Sequence, residues 1–144
     1  MACMPTASAC RDEIEALHEF FVRWYTETIS EDAIDRLETS LAPGFEMVSP
    51  DGSRLDRGAV LEWIGDSYGR DDPGAFEIEI RSVELIADLD DHATVRYEEW
   101  QETPAETTGR ISTALFCENE AAPGGVVWVD LHETWLDTES DGGT

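Results

Sequence analysis

Two glutamates on separate strand-like segments are the residues of this sequence best placed to do chemistry. Glu99 lies within Tyr97–Gln101 and Glu133 within His132–Leu136. Two carboxylates that share an apolar cavity repel each other and are poorly solvated, so one pKa rises and the pair can act as a general acid and a general base. Glu99 and Glu133 are therefore our candidate catalytic residues, and replacing either by Gln is expected to raise stability at pH 7.

The register of the strands decides which residues accompany these glutamates. A hairpin whose paired residue numbers add up to about 212 puts Glu99 on the same inner face as Thr113. Val127 and Val129 then continue that face along the last strand towards Glu133. A slip of one residue would reverse the faces and turn His132 inward. The candidate ligand-binding residues are Trp24, Met47, Trp63, Tyr97, Gln101, Thr113 and His132.

Less specific interpretations stand beside this site. Glu99 or Glu133 could lie at a rim in water, or pair with Arg23 or Arg110. His18 lies beside the apolar stripe of the first helix, where a histidine is more often packed than catalytic.

Metal and cofactor sites have no support in the sequence. The three histidines show no ligand spacing such as HExxH, and His92 lies in a turn. Gly124-Gly125 belongs to no phosphate-binding loop pattern. We predict neither a metal nor a cofactor.

The opposite face of the same hairpin carries Trp100 and Phe116 in this register. Exposed aromatic residues on a sheet face usually mark a surface that another molecule covers. This predicts a homodimer through the outer sheet face; the alternative is that arginines and the chain termini cover these rings.

Helices at the start and strands at the end must position all these residues. Apolar spacing of three and four residues predicts three helices, and alternation with a period of two predicts strands after residue 76. This order indicates an α+β domain with its helices against one face of a mostly antiparallel sheet. The predicted helices cover 11–28, 33–41 and 57–68, the predicted strands 45–48, 76–81, 83–87, 94–103, 110–117 and 126–136, and residues 1–10 and 138–144 are predicted to be flexible around one domain, 11–137.

The element order and several short motifs resemble the nuclear-transport-factor-two-like superfamily, and within it an uncharacterised SnoaL-like subfamily. The motifs are Phe20–Tyr25, Phe45–Gly52, Tyr97–Gln101 and His132–Leu136. The resemblance implies a cone in which a curved sheet wraps three helices around a pocket. We expect a small-molecule-binding protein that could isomerise, cyclise or hydrate a partly apolar ligand; the alternative is a non-catalytic dimeric module whose cavity is filled by its own side chains.

The charge of the chain excludes several partners and predicts a habitat. It carries 33 acidic residues against nine arginines, a net charge of -24, with no lysine. Such a surface repels phosphate backbones and anionic lipids, so we expect neither nucleic-acid nor membrane binding. Three cysteines without a paired framework, and a start without a signal-peptide pattern, favour a cytoplasmic protein. Scattered carboxylates are typical of halophilic proteins.

Salt should therefore stabilise the fold. Self-repulsion of the carboxylates is screened at high ionic strength, so the melting temperature is expected to rise substantially from dilute buffer to molar potassium chloride. Differential scanning fluorimetry across a potassium chloride series measures this. A flat profile would contradict the halophilic interpretation.

Overall fold

A computed structural model of the chain describes residues 7–72, 74–89 and 91–136. Within these ranges it contains three α-helices, one 3-10 turn and six strands. The elements in chain order are α1 (Ala7–Tyr25), the 3-10 turn (Glu31–Ala33), α2 (Ile34–Glu38), β1 (Leu41–Val48), β2 (Arg54–Asp56), α3 (Arg57–Asp66), β3 (Glu77–Leu89), β4 (His92–Glu102), β5 (Thr107–Glu118) and β6 (Val126–Trp135). No helix in the described part is long and apolar enough to cross a bilayer.

The strands form one mixed sheet in the order β2-β1-β6-β5-β4-β3. All neighbours are antiparallel except β1 and β6, which are parallel. The predicted α+β architecture is confirmed, with three helices against one face of a mostly antiparallel sheet. β2 was not predicted because a strand of three residues has no measurable period.

The helix starts follow local chemistry. The Asp56 side chain accepts a hydrogen bond from the Ala59 N–H at 2.8 Å and caps α3 as predicted. α1 begins earlier than expected, at Ala7, and Cys10 is fully buried in the core. Residues 7–10 therefore do not belong to a flexible terminus. Residues 1–6 and 138–144, which were also predicted to be flexible, lie outside the described residues.

The register of the β4–β5 hairpin differs from the predicted one. Tyr97 pairs with Ser112, so the paired numbers add up to an odd total and the two faces of β5 are exchanged. The cause is the turn, because the Thr103 hydroxyl accepts hydrogen bonds from the N–H groups of Ala105 and Glu106, closing the hairpin between Glu102 and Thr107. Thr113 therefore faces outward, contrary to our prediction.

A β-bulge on β6 causes the second correction. The register shifts between Leu115 and Phe116, because Leu115 pairs with Asp130 and Phe116 with Trp128. Val129 is the extra residue, so Trp128 points to the same inner face as Glu133. Val127 and Val129 do not line that face as predicted. Phe116, expected on the outside, is fully buried, with its ring centre 4.6 Å from that of Trp128.

A buried ion pair ties the first helix to the rest of the core. The Glu13 carboxylate accepts hydrogen bonds from the Arg36 guanidinium at 2.8 and 3.2 Å and from the Trp128 indole N–H at 3.0 Å. Arg36 also contacts Ser40. α1, α2 and β6 are thus joined by one carboxylate whose side chain is fully buried.

Candidate functional site

A small cavity lies between the inner face of the sheet and the helices α1 and α3. Its volume is about 70 Å³, roughly a fourth of the smallest drug-sized pockets. Apolar side chains form most of its wall, and the polar groups converge on one side. Its lining is Leu17, His18, Phe21, Tyr25, Leu37, Leu41, Phe45, Met47, Val60, Trp63, Ile64, Ile78, Glu99, Gln101, Arg110, Trp128, Leu131 and Glu133.

His18 and Glu99 form a buried pair at the polar side of this cavity. Each residue is 4% exposed, and His18 Nε2 lies 3.0 Å from Glu99 Oε1. His18 Nδ1 lies 2.7 Å from the carbonyl oxygen of Ile14, one helical turn earlier. A carbonyl oxygen only accepts, so Nδ1 must carry a hydrogen. The hydrogen bond to Glu99 then contains a further proton, which resides on either Nε2 or Oε1.

The second oxygen of Glu99 is held separately. The Gln101 side-chain amide donates to Glu99 Oε2 at 2.7 Å. Gln101 follows Glu99 by two residues on β4, so both side chains leave the same face of the strand. Glu99 Oε2 is thus an acceptor in this arrangement, and the exchangeable proton of the pair is confined to the side of His18.

The charges of the pair stabilise each other. Burial disfavours ionised His18, but the charge and hydrogen bond of Glu99, together with the Ile14 carbonyl and the charge of Glu133, outweigh that cost and raise the pKa of His18 above its ordinary value. Burial likewise disfavours the Glu99 carboxylate, yet the His18 charge and hydrogen bond hold the pKa of Glu99 below its ordinary value. The geometry therefore favours an imidazolium next to a carboxylate.

Glu133 sits beside this pair in a different environment. Arg110 Nη1 donates to Glu133 Oε1 at 3.1 Å, and the Ser112 hydroxyl donates to Oε2 at 3.1 Å. Burial, followed by the charge of Glu99, raises the pKa of Glu133, and Arg110 opposes this. The two glutamates are thus shifted in opposite directions, Glu99 down and Glu133 up. The expectation that one of the two pKa values is raised agrees with Glu133 and not with Glu99.

A larger basin adjoins the cavity, because the two spaces share part of their lining. Its volume is about 410 Å³, within the usual range of small-molecule pockets. Four residues line both spaces and therefore lie between them: Tyr25, Trp63, Gln101 and Arg110. The rest of the basin comes from the β1–β2 turn, from Arg70 and from the end of β6. These further residues are Ser49, Pro50, Asp51, Ser53, Leu55, Arg70 and Trp135.

Five of the nine predicted site residues line the cavity, and four do not. Those lining it are Glu99, Glu133, Met47, Trp63 and Gln101. Trp24 is instead a core residue, because its indole donates to the Ile64 carbonyl at 2.7 Å and its ring packs on Phe20 and Tyr68. Tyr97 is fully buried behind the wall, with its ring centre 5.8 Å from that of His18.

Thr113 and His132 lie on the opposite face of the sheet. They border an outer groove together with Arg96 and Ile111, and they pair directly across β5 and β6. The altered hairpin register explains Thr113. His132 faces outward because it neighbours the inward Glu133 on the same strand.

His18 and Arg110, which contact the two glutamates, were not among the predicted site residues. The interpretation of His18 as a packed helix residue accounts for its burial but not for its contact with Glu99. Arg110 had been named as an alternative partner of a glutamate, and the structure shows that pairing with Glu133. The sequence offered one signal for both residues. A polar residue that is predicted to be buried needs a buried hydrogen-bond partner, so the buried glutamates called for partners such as His18 and Arg110.

One group of side chains distant from the cavity could hold a metal. Ligand atoms of Asp91, His92 and Cys117 lie within 4.8 Å of one another. His92 Nδ1 lies 2.6 Å from Asp91 Oδ1. The residue His92 pairs with Cys117 across the β4–β5 hairpin. The hydrogen bond and strand pairing account for this proximity by themselves.

Comparisons of sequence identify the family. Residues 11–137 match the family model "Sucrose-6-phosphate phosphohydrolase C-terminal". Sucrose-phosphatase 2 from Nicotiana tabacum is 24% identical over 127 residues, which are 86% of this chain and 30% of that protein. The chain thus spans about a third of the length of the curated relative it matches.

Comparisons of structure agree on the fold. An NTF-2-like protein of unknown function from Pseudomonas aeruginosa is 32% identical, with 89% of this chain and 98% of that chain covered and a TM-score of 0.81. An uncharacterised protein with a cystatin-like fold from Caulobacter vibrioides is 17% identical, with 92% and 94% covered and a TM-score of 0.63. The CaMKII hub of S. rosetta is 14% identical, with 90% and 92% covered and a TM-score of 0.65. The chain therefore has the NTF-2-like fold and belongs to the sucrose-6-phosphate phosphohydrolase C-terminal family.

Proposed function

We propose that this protein binds a small, partly apolar molecule in the cavity and basin, and that the buried cluster of His18, Glu99 and Glu133 can transfer a proton to or from it. The His18–Glu99 pair carries this proposal. A buried histidine with one nitrogen fixed on a backbone carbonyl, and the other sharing a proton with a carboxylate, is more than packing requires. The pair also lies in the wall of a mostly apolar cavity rather than in the closed core.

Glu133 is the better candidate for the group that exchanges a proton with the ligand. Its pKa is shifted upward, which moves a carboxyl group towards the pH at which it can both donate and accept. Glu99 stays ionised next to His18 and raises the pKa of Glu133 through its charge. A ligand atom within about 2.6–3.2 Å of Glu133 could then take part in isomerisation, cyclisation or hydration.

Phosphate hydrolysis fits the cavity poorly. The names of the family and of the tobacco relative refer to the hydrolysis of a sugar phosphate. The segment that matches this chain makes up 30% of the length of the tobacco protein. Here the two convergent glutamates would repel a phosphate group, and the neighbouring Arg110 is already paired with Glu133. We therefore assign this chain a binding or proton-transfer role rather than phosphoryl transfer.

A variant that fills the inner cavity tests ligand binding. Leu131→Phe adds a ring to the wall and leaves His18 and Glu133 unchanged, so ligands found in a library screen should bind at least about tenfold more weakly. Thermal-shift titration in molar potassium chloride gives the affinities. Leu115→Phe, on the outer face of the same sheet, is the matched control. Equal loss in both variants, or in neither, would place the ligand elsewhere.

The alternative proposal is a non-catalytic dimeric module that pairs through the outer sheet face. Its support is an outer groove in which Ile111 and Leu115 are only half-buried. Trp100 contributes less than expected, because its ring lies against Gly109 and under Arg81. Light scattering of the unmodified protein distinguishes a monomer from a dimer. A dimer that shows no hit in the ligand screen would favour the module.

A further inference from the structure

We propose that the ligand is a neutral carbohydrate held by the outer basin. This rests on the proposed function, whose site it shares. The inner cavity, at about 70 Å³, is less than half of an engineered 150 Å³ cavity that accepts benzene. Most of any ligand must therefore lie in the basin of about 410 Å³. The chemistry of the basin sets the class of ligand.

The basin presents two large aromatic surfaces to solvent. Trp63 is 44% exposed and Trp135 is 48% exposed, and both border the same concave space. Trp135 packs one side on Arg110, whose Cζ lies 4.8 Å from the ring centre. Exposed tryptophans in a concave site offer flat apolar faces, and the C–H face of a sugar ring is a flat apolar surface of similar size.

Polar side chains surround these rings and can bind hydroxyl groups. Six of the eleven basin residues are polar or charged: Ser49, Asp51, Ser53, Arg70, Gln101 and Arg110. Hydroxyl, carboxylate, amide and guanidinium groups can donate to or accept from the hydroxyl groups of a ligand.

The charge of the basin argues against an anionic ligand. Arg110 is paired with Glu133, and Arg70 is paired with Asp71 at 3.0 Å and stacked on Tyr25. Asp51 adds a further carboxylate. Two arginines thus face three carboxylates within a chain of net charge -24, so an anion is repelled. A hydrocarbon would leave all the polar groups of the basin unpaired.

Binding of matched sugars tests this proposal. Sucrose and methyl glucoside should bind in molar potassium chloride, measured by saturation-transfer NMR and calorimetry, whereas glucose 6-phosphate should bind no better than glucose. Trp63→Ala and Trp135→Ala should each weaken sucrose binding about tenfold. Trp63→Phe and Trp135→Phe, which keep a ring, should lose less, and they replace the alanine variants if those fail to fold. Leu115→Ala on the outer face is the control.

The outcomes separate this proposal from the proposed function. Tighter binding of glucose 6-phosphate than of glucose would overturn the neutral class. Absence of sugar binding, while Leu131→Phe still weakens binding of another library ligand, would overturn the carbohydrate proposal and leave the pocket function in place. Sugar binding that Trp63→Ala and Trp135→Ala leave unchanged would also overturn it, because the sugar would then lie outside the basin.

Discussion

Replacing Glu13 by Gln is expected to lower the free energy of unfolding by about 3 kcal/mol, at the lower end of the range for breaking a buried ion pair. The Glu13 carboxylate is fully buried and satisfies three donors, two from Arg36 and one from Trp128. The substitution leaves the Arg36 guanidinium without its counter-charge, although Arg36 is about one-fifth exposed and recovers some hydration. Urea unfolding at constant molar potassium chloride measures the change without altering the ionic strength.

A surface ion pair on the same helix provides the control. Glu19 and Arg23 are one turn apart with an N–O distance of 3.0 Å, close to the 2.8 Å of the Glu13–Arg36 pair, but more than half of each side chain is exposed. Glu19→Gln should therefore cause no measurable loss of stability. Similar losses for the two variants would show that burial does not set the strength of the Glu13 contact.

Local signals account for the parts of the fold that the sequence predicted. The first and third helices were visible because apolar residues recur at helical spacing, and because Asp56 offers a cap directly before α3. The strands after residue 76 were visible because apolar and charged residues alternate. The segments 76–81 and 83–87, predicted as two strands, form one strand with a bulge next to Ser82, whose φ is 56°.

The composition of the site was less predictable, because a single residue added to a turn or strand exchanges the inward and outward faces of that strand. A four-residue turn closed by Thr103 and one extra residue, Val129, determine which face of β5 and β6 points inward. Neither feature has a strong signature in a single sequence. Thr113 was assigned to the wrong face for this reason, whereas Glu99 and Glu133 were assigned correctly.

The partner of Glu99 could not be read from local sequence at all. His18 and Glu99 are 81 positions apart and meet only when α1 packs across the sheet. The helical pattern placed His18 beside the apolar stripe, and the strand pattern placed Glu99 on the inner face. Combining the two would have required the rule that buried polar groups find each other. The separate patterns gave candidates but not their pairing.

The pairing of His18 with Glu99 leads to a prediction about pH. Glu99→Gln is expected to reverse the direction in which the His18 pKa is shifted. In the native protein Glu99 makes the largest of the contributions that together outweigh burial and raise this pKa. With a neutral glutamine, burial is left as the dominant influence and should lower the pKa of His18 below 6.5. Glu133 remains as a weaker anionic neighbour, itself paired with Arg110. Nitrogen-15 NMR of the imidazole at a series of pH values reports the change.

The same substitution should alter the dependence of stability on pH. The folded pKa of His18 is raised, so its contribution is complete below 6.5 and is lost as the pH rises through the folded value. The folded pKa of Glu99 is lowered, so its contribution is complete above 4.5 and is lost as the pH falls through the folded value. The pair therefore stabilises the native protein most at pH values between 4.5 and 6.5.

Within that window Glu99→Gln should lower the free energy of unfolding by about 2 kcal/mol, the value of a hydrogen bond between charged groups. This replaces the expectation that the substitution would stabilise the protein, which assumed a raised pKa for Glu99. Glu102→Gln, at the exposed end of the same strand, is the control and should leave both the stability and the His18 titration unchanged. If His18 in Glu99→Gln still titrates above 6.5, the proton on His18 is held by Glu133 or by the helix. Glu99 would then not be the residue that keeps His18 protonated.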